Sequence, residues 1–345
     1  MTARDKNRIA VIGAGPAGMA AAFSAASLGL EVDWYEKDDR PGGKLNGYHE
    51  LFPDRILAGR ALTVLERDDR APVNRHFGRA IDKIETDGGR MILLSGEEIA
   101  GYADAVVVAT GFDFFDARLK EEYGYGIYDH VITSPDLEAM LRDGGGALHL
   151  HGGEPRSVGF VHCVGSRDLQ AGNPYCSRLC CMTGIKQAVE LRERFPECRV
   201  TSFYIDIRAF GNGYEELYRK AQEDYRVRFV RGRVSEASRD PSGRIVVKAE
   251  DTLMGRPLKV TVDWLVLLVG MEPSCTAVRI DGSHVENAES GFYRLADPLS
   301  GLRLDGFKGI FTAGAGTGPM SVPEAIASGR SAAVEVWSFL NHANR

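Results

Sequence analysis

The sequence predicts an α/β protein built from two β-α-β units, and three observations carry that prediction. The chain opens with a short apolar strand, an alanine-rich helix and a second strand, "RIAVIGAG", "PAGMAAAFSAASLGL" and "EVDWYEKDD". The same alternation returns near residue 157, as "SVGFVHCVG", "CCMTGIKQAVELRERF" and "RVTSFYIDI". The C-terminal stretch "GIFTAGAGTGPMSVPEAIASGRSAAVEVWSFL" is again strand, glycine-rich turn and helix, so it resembles the opening unit. Consecutive apolar runs of strand length joined through helices imply parallel, right-handed units.

The elements follow in order. After the first β-α-β comes a polar, glycine-containing loop, "RPGGKLNGYHELFP", and later the buried strand "YADAVVVATG". Residues 112–143 read as a connecting stretch with one short helix, "SPDLEAMLRD". The second unit continues through the helix "GYEELYRKAQED" to "VRFVRGRV", to the strands around "RIVVKAE" and "LKVTVDW", and closes on "DWLVLLVGM". The implied domains are a discontinuous one, residues 1–135 with 285–345, enclosing a middle one, residues 136–284.

With 345 residues, 44% of them hydrophobic, the chain can bury a large core in one or two domains. A net charge of -6 without any block of lysine or arginine argues against nucleic acid or anionic membrane as a partner. The start, "MTARDKNRIAVIG", has no apolar segment with a cleavage site, and no apolar run is of bilayer length. The expectation is a cytoplasmic protein. Six cysteines in such a setting point to metal or redox chemistry rather than structural disulfides.

Gly13, Gly15 and Gly18 form G-x-G-x-x-G between the first strand and helix. The first glycine permits the tight turn, the second lets a pyrophosphate approach the backbone, and the third lets helix and strand pack closely. The phosphates would lie on the helix N-terminus, where free N–H groups point at them. Glu36 ends the second strand, where a carboxylate can accept bonds from ribose hydroxyls.

Four cysteines, Cys163, Cys176, Cys180 and Cys181, fall within "VHCVGSRDLQAGNPYCSRLCC" at C-x12-C-x3-C-C. They take the place of a second phosphate loop, between a strand and the helix that follows. If the last turn is helical, Cys176 and Cys180 share a face and Cys181 is turned by about 100°. A four-iron cluster wants four thiolates, and the helix N-terminus favours its negative charge, with Arg167, Arg178 and Lys186 adding positive potential. Zinc also takes four cysteines but prefers paired C-x2–4-C knuckles. Packed or disulfide-forming thiols are the third reading. His162 beside Cys163 points to the opposite strand face and reads as a core or surface histidine. Cys198 and Cys275 read as core-packing residues.

The motifs "IGAGPAG", "YEK", "PGGK", "VVVATG" and "GIFTAGAGTGP" resemble the two-dinucleotide-binding-domain flavoproteins, of the thioredoxin reductase and lipoamide dehydrogenase kind. That resemblance implies two Rossmann-like domains, the second here carrying the cysteine cluster. It also implies an FAD site made of Gly13, Gly15, Pro16, Ala17, Gly18, Glu36, Lys37, Gly43, Lys44, Ala80, Thr110, Gly111, Gly314, Ala315, Val322 and Pro323. The family usually has Gly-Asp, with the aspartate on the ribityl chain, where this chain has Gly314-Ala315. The middle unit lacks the second glycine fingerprint for NAD(P)H, and no C-x-x-C is present.

More specific motifs, "GFDFFDARLKEEYGYGIYDHVITS", "VGSRD", "YCSRLCCM", "IKQA" and "YIDIRAFGNGYEELY", resemble the A-type subunit of heterodisulfide reductase and its shorter relatives. The resemblance implies a [4Fe-4S] cluster on Cys163, Cys176, Cys180 and Cys181 beside FAD, with Lys186 near the flavin as an electrostatic group and proton donor. The long methanogen form carries ferredoxin-like cysteine runs, which six cysteines cannot supply. The compact form is similar to the corresponding component of heterodisulfide-reductase-like complexes of sulfur-oxidising prokaryotes. Its implied partners are B-like and C-like subunits and a lipoate-binding protein, with a homodimer as the implied oligomer. Two expectations compete with it: a stand-alone flavin disulfide reductase with a Cys180–Cys181 redox pair, and a non-catalytic assembly subunit whose cofactors are vestigial.

Overall fold

The computed structural model describes residues 7–66, 72–149, 153–274, 278–284, 288–299 and 301–343. Among them the α-helices are α1 (Pro16–Ser27), α2 (Ala58–Glu66), α3 (Ser134–Arg142), α4 (Cys180–Arg194), α5 (Tyr214–Glu223) and α6 (Val322–Ala343). The chain divides into a terminal unit, Met1–Asn46, Gly59–Asp113 and Glu272–Arg345, and a middle unit, Gly47–Ala58 and Phe114–Met271.

The terminal unit is organised by a five-stranded parallel sheet in the order Ile310–Thr312, Ala105–Val108, Arg8–Ile12, Glu31–Glu36, Asn74–Phe77. Runs such as "RIAVI" and "AVVV" are apolar on consecutive residues because both sheet faces are covered. One face packs under α1 and α6, where Ala21, Ala22, Ala25, Ala332 and Val336 are buried with Val11 and Val107. Alanine and glycine dominate that contact because the two helices approach closely. A Cβ on Gly329 would run into the carbonyl oxygen of Ala17. The other face meets the antiparallel strands Lys83–Asp87, Arg90–Ser95 and Glu98–Ala103.

The middle unit repeats this plan. Its parallel sheet runs Val131–Thr133, Trp264–Val269, Ser157–Val164, Arg199–Tyr204, Arg228–Arg231, and an antiparallel meander follows in Val234–Arg239, Ile245–Asp251 and Arg256–Val262. In both units the first strand of the β-α-β is central and the strand order reverses beside it. Ligands of open α/β sheets bind at that reversal, outside the carboxyl ends of the strands.

The observed boundaries differ from the expected ones in three places. Residues 114–135 belong to the middle unit because Val131–Thr133 pairs in parallel with Trp264–Val269, Val131 opposite Leu265. Residues 47–58 join it too, as a short hairpin, Glu50–Leu51 with Ile56–Leu57, tied to α4 by ion pairs of Arg55 with Glu193 and His49 with Glu190. Residues 272–284 belong to the terminal unit, where Arg279–Ile280 pairs with Lys83 and Ile84. The stretch 112–143 is therefore more than a connector with one helix.

Candidate functional site

The glycine turn of the terminal unit sits at the sheet's reversal point. Gly13 has φ 105° and donates its N–H to Tyr35 O at 2.8 Å, and a Cβ there would press into the Ala109 backbone. Gly18 packs its Cα against the Gly13 carbonyl, leaving no room for a side chain. Gly15 is different: nothing lies within 4 Å of a Cβ built on it, so its surface is open to a ligand. It caps α1 with no side-chain bond, Pro16 follows, and the first-turn N–H groups remain available to an anion.

Glu36 accepts the Ala14 N–H at 2.5 Å and the Asp38 N–H at 3.1 Å. Its carboxylate braces the turn, and each oxygen keeps a further lone pair. Gly43 comes within 3.2 Å (measured from a built Cβ) of Gly15 Cα. Lys44 pairs with Asp113 at 3.3 Å and lies over the Phe112 ring. Lys37 and Ala80 are exposed just beyond their strands. Gly111 has φ 77°, and beside it Thr110 Oγ1 is buried with no partner. Gly314 donates its N–H to Ser328 Oγ at 3.1 Å and touches Ala17, Ala315 is buried and offers no side-chain acceptor, and Val322 and Pro323 open α6. An open glycine at a helix N-terminus and an orphaned hydroxyl across the reversal point are what a dinucleotide would satisfy. The residues fit FAD.

In the middle unit the strand Ser157–Val164 ends in a register shift between Val161 and Val164, and Cys163 adopts φ 60°. Arg167 and Arg178 are also left-handed, at φ 55° and 59°. Three non-glycine residues in that region within one loop are held there by their surroundings. Asp168 pairs with Asn173 through backbone bonds of 2.9 and 3.0 Å, and Asn173 Nδ2 donates to Gly165 O at 3.1 Å. Ser166 and Ser177 hydroxyls meet at 2.5 Å, and Ser177 Oγ accepts the Met271 N–H at 2.8 Å. Arg167 Nη1 bonds Asp206 at 2.7 Å.

This frame carries the four cysteines. Cys176 lies in the loop, not on a helical turn shared with Cys180, because the helix begins only at Cys180, beyond Pro174. Cys176 Sγ accepts the Arg178 N–H at 3.3 Å, and Cys181 Sγ reaches Asp206 O at 3.6 Å. Cys180 and Cys181 are buried, and Cys163 and Cys176 partly so. Burial pushes the Cys163 and Cys180 thiols up and the Cys181 thiol to about 12, with neighbouring cysteines of the set adding to each shift. Thiols held protonated in this way give up their protons to a bound cation. α4 begins without a side-chain cap, so its N–H groups face the same loop. The donor set fits an iron–sulfur cluster.

His162 is a core residue. Its Nε2 meets Ser202 Oγ at 2.6 Å and burial pushes its imidazole down to about 3. Cys198 is buried in the core under α4. Cys275 lies outside the described residues.

Lys186, expected to offer a cation, is 1% exposed, with its ammonium between Glu138 and Glu190. Glu190 meets His49 Nδ1 at 2.5 Å, and Gln187 Nε2 donates to Glu138 at 2.7 Å. Sequence reasoning missed Glu138, Glu190 and His49, because a carboxylate at a polar helix position carries no sign that tertiary packing will bury it. His49, Glu50 and Glu190 also place ligand atoms within 4.8 Å of one another, but Lys186 and Arg55 already hold the two carboxylates. Lys186 belongs to the middle unit and the FAD-fitting residues to the terminal one.

Two parallel sheets of one topology, the first ending in a dinucleotide turn, define a flavoprotein of the disulfide-oxidoreductase class. The family model for pyridine nucleotide-disulphide oxidoreductases matches residues 7–140, which implies FAD in the terminal unit. Thioredoxin reductases share the fold: that of T. acidophilum matches with TM-score 0.68 at 18% identity over 96% of this chain and 99% of its own. The Lactococcus lactis enzyme gives 0.69 at 18% identity over 98% and 100%. Within that class the chain belongs to the family of heterodisulfide reductase A-type subunits. It is 42% identical over 243 residues to the second iron–sulfur A-type subunit of CoB–CoM heterodisulfide reductase from Methanopyrus kandleri, covering 68% of this chain and 37% of the relative. It is 40% identical over 243 residues to the A-type subunit of the H2:CoB-CoM heterodisulfide,ferredoxin reductase of Methanothermobacter marburgensis, covering 69% and 37%. The match thus spans under two fifths of the length of these relatives. The chain is an oxidoreductase-family protein, and no described helix is long and apolar enough to cross a membrane.

Proposed function

We propose that the chain is an FAD- and [4Fe-4S]-carrying electron-transfer subunit of a heterodisulfide-reductase-like complex in sulfur oxidation. One observation supports this reading: Cys163 lies near the end of the central strand of the middle sheet, and Cys176, Cys180 and Cys181 lie on the loop and helix start that follow it, where this topology otherwise seats a nucleotide phosphate. Bound there, a four-iron cluster supplies one-electron exchange, and FAD in the terminal unit supplies two-electron exchange. The chain's own part is to hold the thiolates, exclude water from Cys180 and Cys181, and set the local field through Arg167, Arg178 and the start of α4. Lys186 enters as an electrostatic group, within an array that includes Glu138 and Glu190 rather than as a lone cation.

The partners in this reading are B-like and C-like subunits and a lipoate-binding protein, in the cytoplasm. A homodimer is supported by Val334 and Trp337, both exposed on α6. The disulfide-reductase alternative is disfavoured because Cys180 packs into the core while Cys181 bonds the Asp206 carbonyl. Anaerobic purification followed by iron, sulfide and FAD assay tests the reading. About four irons and one FAD per chain are expected, and FAD with no iron and intact thiols would overturn it.

A further inference from the structure

We propose that the buried array of His49, Glu190, Lys186 and Glu138 takes up part of a proton when the cysteine site gains an electron. The inference rests on the reading of that site as an electron carrier. The array joins three elements of the middle unit: Glu138 from α3, Lys186, Gln187 and Glu190 from α4, and His49 from the 47–58 segment. Two carboxylates and one ammonium, all at most 4% exposed, carry a formal charge of −1 while the imidazole is neutral. An uncompensated buried charge is expensive, and a proton on His49 or on a carboxylate removes it. Gln187 Oε1 is buried without a partner, so the array has an acceptor to spare.

The other charged groups facing it do not balance it. Arg55 divides its guanidinium between Glu50 and Glu193, and the Tyr48 phenol is held neutral by burial and by Glu138. His49 is one-fifth exposed and is the route by which a proton from water reaches the interior. Lys186 lies five residues beyond Cys181 on the same helix, roughly 8 Å along its axis. At ~10 Å and an effective dielectric of ~20, one added negative charge raises the array's proton affinity roughly tenfold. One electron enters from the reduced flavin or an external one-electron donor, and a tenfold change in affinity draws in at most about half a proton from water, so the uptake offsets part of the added charge.

The test is the midpoint potential of the cysteine-bound cluster in the anaerobically purified protein, read by electron paramagnetic resonance between about pH 5 and 9, which separates it from the flavin. The potential should fall as pH rises, by a total matching a tenfold change in equilibrium, ~59 mV for one electron. Glu138→Gln keeps the bonds to Lys186 and Gln187 but leaves Lys186 and Glu190 balanced, so its potential should be flat with pH. A flat wild-type potential with full iron overturns the proton coupling, as does a slope that survives in Glu138→Gln. Protein with FAD but no iron overturns the electron-carrier reading and the coupling with it.

Discussion

Lys120 Nζ lies 2.9 Å from Asp168 Oδ2, with the two side chains 12% and 13% exposed. The pair fastens the loop that carries the cysteines to the 114–131 stretch, since the other Asp168 oxygen accepts the N–H groups of Gln170 and Ala171. Lys120→Met should lower stability by about 1–3 kcal/mol and speed iron loss on exposure to chelator. Thermal unfolding and chelator kinetics check both.

The same pair has a pH signature. The hydrogen bond from Lys120 holds the Asp168 carboxyl below its ordinary range. Its contribution is present above the unfolded value near 3.9 and is lost as pH falls through the lower folded value. Hydrogen bonds with Asp168 and Glu122 outweigh burial and raise Lys120 to about 12, so its contribution is lost only as pH rises through that value. In denaturant titrations from pH 6 downward, Asp168→Asn should flatten the acid limb relative to wild type.

Cys163 combines a thiol at the cysteine site with φ 60°. Cys163→Gly and Cys163→Ala should both lose bound iron, but the glycine variant should be more stable than the alanine one by ~1 kcal/mol, since only glycine relieves the left-handed backbone. Equal stabilities would show that the backbone relaxes when the thiol is gone.

In the terminal unit, Gly15 and Gly18 separate binding from packing. Gly15→Ala should fold normally and bind FAD more weakly, because its Cβ enters open space at the helix N-terminus. Gly18→Ala should lose ~3 kcal/mol or more, since its Cβ has to displace the Gly13 carbonyl. Unfolding curves of the FAD-stripped proteins, with FAD titrations, distinguish the two.

Thr110 Oγ1 is the orphaned hydroxyl of the same site. Thr110→Val should stabilise the FAD-free protein by ~1 kcal/mol and weaken FAD binding, so that the gain reverses when cofactor is added. An unchanged FAD affinity would remove Thr110 from the site.

Most of the architecture is legible from local pattern. "RIAVI", "AVVV" and "WLVLLV" are uniformly apolar and short, and such runs become parallel strands wherever helices cover both faces. Val131–Thr133 was not legible, because three residues after a polar stretch become a strand only when the edge of Trp264–Val269 is there to pair with. The helical placement of Cys176 failed for a similar reason. Spacing in sequence does not say where a helix begins, and the Asp168–Asn173 turn and Pro174 delay it to Cys180.

The sequence by itself determined the two-fold β-α-β plan, the glycine turn, and the position of four cysteines between a strand and a helix. Those features depend on neighbours within a few residues, through backbone sterics, hydrophobic period and the vacant N–H groups of a helix start. Only the tertiary structure decided that Thr110 has an orphaned hydroxyl, that Lys120 holds the cysteine loop, and that Lys186 is buried between Glu138 and Glu190. Lys186 and Glu138 lie 48 positions apart, and His49, which meets Glu190 of the same array, lies 141 from it. What a charge contributes depends on which partners and how much water remain around it once the sheets and helices have packed.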